Sequence, residues 1–160
     1  MKNELISKLR YDPLSGNFWW GVSPRIGIRI GAIAGSIGSH GYAVIKFKGK
    51  TYRLHNLAWE MYYGTAPTSQ IDHKNRLRSD NRISNLRLAT DTQNKANRKV
   101  RSDSRTGMKG VVRSRTVGKW IARIRVDKTD RHIGTFSSAE EASIAYLSEL
   151  KKLRGEFASV

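Results

Sequence analysis

Between residues 108 and 154 the hydrophobic pattern changes period once, and that change restricts the chain to few architectures. MKGVVRSR, KWIARIRV and RHIGTF alternate apolar with polar residues. A two-residue period sends successive side chains to opposite faces, so each segment reads as a strand. SSAEEASIAYLSELKKLRG then repeats its apolar residues at helical spacing, with Ala142, Ala145, Tyr146, Leu150 and Leu153 on the inward face. Ser137 or Ser138 supplies the N-cap, and Glu140 and Glu141 sit in the first turn, where free N–H groups favour oxygen acceptors and negative charge. A run of strands closed by a helix is the order of an α+β unit.

The preceding part is built from shorter pieces. KNELISKLRY, residues 2–11, has Leu5, Ile6 and Leu9 at helical spacing and reads as a helix ending near Asp12-Pro13. YDPLSGNFWW reads as a turn and a strand. Residues 21–41, rich in Gly, Ile and Ser, read as an irregular loop with short strands. GYAVIKFKGKTYRLH is a β-hairpin turning at Lys48-Gly49-Lys50. HNLAWEMYYG is a helix closed by Gly64 and Pro67. QIDH and LRLAT are very short strands separated by the polar loop KNRLRSDNRISN, and DTQNKANRK is a helix. RKVRSDSRTG lacks apolar periodicity. These boundaries give domains at 1–97 and 108–160 with a linker at 98–107.

Charge narrows the class of partner. Lys and Arg number 30 against 13 Asp and Glu, a formal net charge of +17. Divided at residues 66 and 107, the three parts carry +6, +6 and +5, so the excess is not a basic tail. Positive charge spread along ordered segments points to nucleic acid first and to an anionic surface second. There is no cysteine, which excludes disulfides and thiolate zinc sites. The N-terminus has no long apolar run, so neither a signal peptide nor a membrane span is expected, and the expected compartment is the cytoplasm.

Within QIDHKNRLRSDN, Asp72 and His73 stand side by side among Lys74, Arg76, Arg78 and Arg82. Taken singly, an Asp-His pair is an ordinary strand-end feature, Asn85 a turn residue and Asn94 a solvated helix position. Together they suggest chemistry. If the two short strands pair and the following helix packs across them, Asp72 and Asn94 converge from opposite sides. Two hard oxygen donors that leave room for water suit Mg²⁺ or Mn²⁺. His73, next along the strand, faces a different space, where an imidazole can take a proton from water near neutral pH.

Residues 42–98 resemble an HNH endonuclease with a ββα-metal motif, of the phage and intron-associated homing branch. GYAVIKFKGKTYRLHNLAW, IDHKNRLRSDNRISNLRLAT and TQNKANR carry the resemblance in family order, and YDPLSGNFWW is typical of the region before it. The resemblance implies metal-dependent hydrolysis of DNA phosphodiester bonds. It assigns Asp72 and Asn94 to the metal, His73 to the general base, and Asn85 to hydrogen bonds across the loop. His55 matches a recurrent family histidine. Arg76 stands where the family loop commonly has Gly. Arg76, Arg78, Arg82 and Arg87 are the expected contacts to flanking phosphates.

Residues 107–158 resemble the AP2, or ethylene-response-factor-like, DNA-binding domain through KGVVRS, GKWIARIRV, HIGTF, AEEASIAY and LRGEFA. That resemblance implies three antiparallel strands packed on one helix, with the exposed sheet face entering the major groove. Lys109, Arg113, Arg115, Arg123 and Arg125 are the expected DNA contacts. With Lys119, the four arginines are expected to share the face away from the helix. Arg123 and His132 replace the plant-type Glu and Trp, so the site read is expected to differ from the plant one. The combined expectation is an endonuclease of double-stranded DNA, a monomer or weak dimer, acting in a bacterial or phage-infected cell. Two other readings remain at this stage: a DNA-binding regulator with an inactive nuclease-like domain, and an RNA-binding basic protein.

Overall fold

The computed structural model describes residues 1–97, 100, 104–127 and 129–157. Helices and antiparallel sheets occur together, an α+β fold, in two compact units, Met1–Asp91 and Thr92–Val160. Residues 98, 99 and 101–103 of the expected linker lie outside the described residues. Among the described residues no helix is long and apolar enough to cross a membrane.

The first unit opens with helix α1, Lys2–Lys8. The helix expected over 2–11 stops three residues early, because Leu9 turns to extended backbone (φ −100°, ψ 152°). Strand β1, Leu9–Tyr11, then pairs antiparallel with β2, Phe18–Trp20. Leu5 and Leu9 are both buried, so the change of conformation keeps one apolar face on the same core. The turn between β1 and β2 is held by Asp12, whose carboxylate accepts the N–H groups of Leu14 (3.0 Å) and Ser15 (3.2 Å). Gly16 completes it at φ +75°. A side chain there would place Cβ 2.7 Å from the Asn81 carbonyl carbon, so only glycine lets this turn lie against residues 81 and 82.

Strands β3 (Ser36–Ile37), β4 (Ala43–Phe47) and β5 (Lys50–Arg53) form an antiparallel sheet in that order. In β4, Ala43, Ile45 and Phe47 are buried while Lys46 is exposed, as a two-residue period requires. Phe47 pairs with Lys50, leaving Lys48-Gly49 as a two-residue hairpin loop. Both loop residues have positive φ (47° and 77°), the demand of a turn whose twist matches the strands. Helix α2, Leu54–Tyr63, buries Leu54, His55, Leu57 and Ala58 and ends at Gly64 in left-handed conformation. Trp20 is in the core, whereas Tyr62 and Tyr63 are exposed. Strands β6 (Gln70–His73) and β7 (Leu86–Ala89) pair antiparallel, with a single 3-10 turn, Ile83–Asn85, leading into β7. Asn85, expected to begin the second strand, is the last residue of that turn.

Helix α3, Asp91–Ala96, follows β7 and spans the division between the units. In the second unit β8 (Val111–Arg113), β9 (Trp120–Val126) and β10 (Thr129–Phe136) form an antiparallel sheet, with β9 central. Helix α4, Ala139–Arg154, packs against it; Val111, Ala122, Ala139 and Ala142 form the buried core with Trp120, Phe136 and Tyr146 around them. Ser138 is the cap: its Oγ accepts the Glu141 N–H (3.1 Å), and the Glu141 carboxylate accepts the Ser137 N–H (3.1 Å). Leu153, expected to face inward, is 36% exposed near the end of the helix.

Candidate active site

Asp72 and His73 are the last two residues of β6, and both are buried, 5% and 4% exposed. Their environments differ because strand neighbours point to opposite faces. Asp72 pairs in register with Arg87. The Arg87 guanidinium donates to Asp72 Oδ2 through Nε (2.9 Å) and Nη2 (2.7 Å). Arg87 was expected on a DNA phosphate. Its side chain is instead only 10% exposed and tied to the carboxylate.

The His73 ring sits among other rings. His55, from the first turn of α2, meets it edge to face at 5.1 Å between centroids. Tyr42 lies 5.3 Å from His55 and 6.0 Å from His73. Two guanidiniums lie over the Tyr42 ring, Arg53 at 4.8 Å and Arg78 at 4.9 Å. Arg78 also donates to the His40 carbonyl oxygen (2.9 Å). Burial holds the His73 imidazole below the usual histidine range, opposed by the Asn81 contact and the carboxylates of Asp72 and Asp80. Burial pushes His55 further, down to about 3, with repulsion from His73 and Arg53 adding to it. Its Nδ1 is buried without a hydrogen-bond partner.

That burial gives a pH dependence with a definite sign. In the unfolded chain a histidine titrates near 6.5, against about 3 for folded His55. Above the unfolded value both states are neutral and the full stability is present. As pH falls below it, the unfolded chain gains the proton first and folded stability declines. The His55 contribution to that decline is about 2 kcal/mol between pH 7 and pH 5. Urea unfolding at the two pH values is expected to show it, and a His55→Phe variant to remove most of it; equal pH dependence in the two proteins would refute the assignment.

The loop after His73 is tied by Asn85. Its Oδ1 accepts the Asn75 N–H (3.0 Å), its Nδ2 donates to the Asp80 carbonyl (2.8 Å), and its own carbonyl accepts the Lys74 N–H (2.9 Å). One buried residue thus joins three points of a polar loop, two through its side chain and one through its backbone. Arg76 donates its N–H to the His73 carbonyl (2.9 Å) and takes φ +64°. An arginine at this place therefore adopts the left-handed backbone that glycine tolerates best. Arg82 is exposed and bidentate to Asp80 (2.9 and 2.6 Å).

Asn81 was missing from the expected site. It is 2% exposed and its Oδ1 lies 3.4 Å from His73 Nε2. Its type and its polar neighbours gave no signal of burial. Asn94 lies in α3 and is half-buried, in the second unit.

On the sheet of the second unit, register decides which cations share a face. Arg123 and Arg125 alternate with buried Ala122 and Ile124 and so point away from α4. His132 and Asp130 oppose them on β10, and Asp130 lies 3.8 Å from Arg123 and 4.0 Å from Arg125. Arg113 departs from the expected common face. It pairs with Trp120, which belongs to the α4-side cluster, and its guanidinium stacks on that ring at 5.2 Å. Directly opposed residues share a face, so pleating puts Arg113 opposite to Arg123. Arg115 and Lys119 lie outside the strands, in the segment between β8 and β9. Lys119 Nζ lies 3.4 Å from Ser137 Oγ. Lys109 is half-buried just before β8.

Residues 52–96 match the family model of the HNH endonucleases. That stretch contains Asp72, His73, Asn81, Asn85, Arg87 and Asn94. Among curated proteins, an ethylene-responsive transcription factor of Arabidopsis thaliana is 47% identical over 47 residues. The aligned stretch is 28% of this chain and 25% of that protein, so the chain spans a quarter of the relative's length. No solved structure matches the chain.

Proposed function

We propose that this chain is a metal-dependent endonuclease of double-stranded DNA, with the first unit cutting and the second holding the DNA. The observation that carries the reading is the buried pair Asp72 and His73 at one strand end, within the stretch that matches the HNH endonucleases. His73 takes the proton from the attacking water. Asn85 fixes the loop that leaves His73, and Arg76 and Arg78 contact flanking phosphates. A carboxylate is a hard oxygen donor that fits a small divalent cation, so Asp72 would hold Mg²⁺ or Mn²⁺. Such a cation, when bound, supplies positive charge for the phosphate oxygens on which negative charge develops. The products are a 5′-phosphate and a 3′-hydroxyl.

The second unit presents Arg123 and Arg125 to the major groove, with Lys109 and Arg115 at its margins. With a net charge of +17, binding to DNA weakens steeply with salt. We place the enzyme in the homing or phage type, preferring certain sites and acting as a monomer or weak dimer inside the cell.

One observation favours a second reading. The Asp72–Arg87 ion pair neutralises the carboxylate that a cation needs, as it would in a DNA-binding protein whose nuclease fold no longer cuts. Supercoiled plasmid separates the two. Incubation with Mg²⁺ is expected to convert it to the nicked form, EDTA to stop the conversion, and excess Mg²⁺ to restore it. Plasmid that stays supercoiled with both Mg²⁺ and Mn²⁺ would leave the DNA-binding reading.

A further inference from the structure

We propose that Asn81 is a positioning residue that sets the tautomer and orientation of the His73 ring, and that the turn between β1 and β2 holds Asn81 in place. The inference rests on the nuclease reading of His73 and adds to it the residues that orient the base.

The Asn81 Oδ1 lies 3.4 Å from His73 Nε2, and both side chains are buried. A carbonyl oxygen can only accept, so Nε2 must carry the hydrogen in this pairing. The neutral ring then keeps its lone pair on Nδ1. Asn81 therefore does two things: it limits rotation of the ring, and it selects the tautomer whose Nδ1 accepts the proton.

Asn81 is itself anchored from far away in sequence. The Tyr11 hydroxyl donates to its backbone carbonyl at 2.7 Å, across 70 positions. Two residues on, Ile83 donates its N–H to the Pro13 carbonyl at 3.1 Å. Gly16 lets the turn close against the Asn81–Arg82 backbone, where any side chain would collide. A donor from β1, an acceptor at Pro13 and the space at Gly16 hold one short stretch of loop. Residues 81–83 are thereby fixed relative to the core, and Asn81 faces the ring from a rigid base. The N-terminal turn touches no reacting atom and acts through Asn81.

Three measurements on the full chain test this. Long-range ¹H–¹⁵N spectra of the histidine rings at neutral pH should show His73 in the Nε2–H tautomer; the Nδ1–H tautomer would overturn the proposal without a variant. Asn81→Ala should leave the ring as a tautomer mixture and lower kcat for nicking about 10–100-fold with KM little changed, the usual cost of losing a group that orients a site. Unchanged kcat in a folded Asn81→Ala protein, or one tautomer as in wild type, would also overturn it. Tyr11→Phe removes only one hydroxyl and should lower kcat by a smaller factor, again without raising KM. A wild-type kcat in Tyr11→Phe would remove the turn from the proposal, and a raised KM alone would point to DNA contact in place of positioning. If wild type itself does not nick, the nuclease reading fails, while the tautomer spectra still report whether Asn81 orients the ring.

Discussion

His73→Ala is expected to bring Mg²⁺-dependent nicking down about 10²- to 10⁴-fold, the range that a positioned general base contributes. The assignment to His73 over His55 follows from their surroundings. A base must hold the proton it takes, and His55, pushed to about 3, accepts one poorly at neutral pH. His73 is depressed in the same direction, but the Asn81 contact and two carboxylates oppose the shift. The strand also sets His73 next to Asp72, the proposed cation ligand, whereas His55 stands behind it on α2. The measurement is single-turnover cleavage of plasmid, with DNA affinity measured in parallel. Affinity should be retained, because the variant removes no cation. His73 is buried, so a thermal melt must accompany the assay to show that the loss is not unfolding. Nicking at the wild-type rate by a folded His73→Ala protein would refute the mechanism.

Gly110→Ala is expected to destabilise the second unit strongly. Gly110 has φ +66°, and its carbonyl accepts the Arg123 N–H at 2.8 Å. A Cβ there would overlap the Tyr146 ring and lie 2.6 Å from the Arg123 carbonyl oxygen. The left-handed backbone alone costs an alanine about 1–2 kcal/mol. Displacing Tyr146 from α4, or β9 from its place, adds about 1–3 kcal/mol of overpacking. The buried cluster under this sheet, Val111, Ala122, Ala139 and Ala142, is closed by Tyr146, so moving that ring opens it. A sum of about 3 kcal/mol lowers the melting temperature of a small domain by roughly 12–24 °C. Gly118→Ala is the control. It has φ +73° but open space around it, so it should cost only the backbone part, about 1–2 kcal/mol. Calorimetry of the two variants distinguishes a clash from a backbone preference; equal losses would show that the Tyr146 contact is unimportant.

What could be read in the sequence was what neighbours in the sequence decide. The Lys48-Gly49 hairpin, the Gly64 stop and the Ser138 cap each depend on a few adjacent residues, and all three are present. Leu9–Tyr11 reads as helix and folds as strand, because its apolar residues suit either conformation and the decision rests with Phe18–Trp20. Arg87 reads like any other cation in a basic chain; only the β6–β7 register sets it on Asp72. The face of Arg113 likewise depends on its partner being Trp120, which alternation within one strand cannot tell. Asn81 is the extreme case. Its burial results from a hydroxyl and a turn about 70 positions earlier, and nothing near it in the sequence marks it out.

The link between Tyr11 and Asn81 also sets an order of events during synthesis. The turn leaves the ribosome first, and the loop it supports follows 70 residues later. Between those moments the chain carries its longest acid-free stretch, residues 13–59, which is basic, with no completed loop around His73. A nascent chain can therefore attract nucleic acid before it can orient a base. Cutting, on this reading, is withheld from the growing polypeptide by the distance in sequence between the support and the loop it supports.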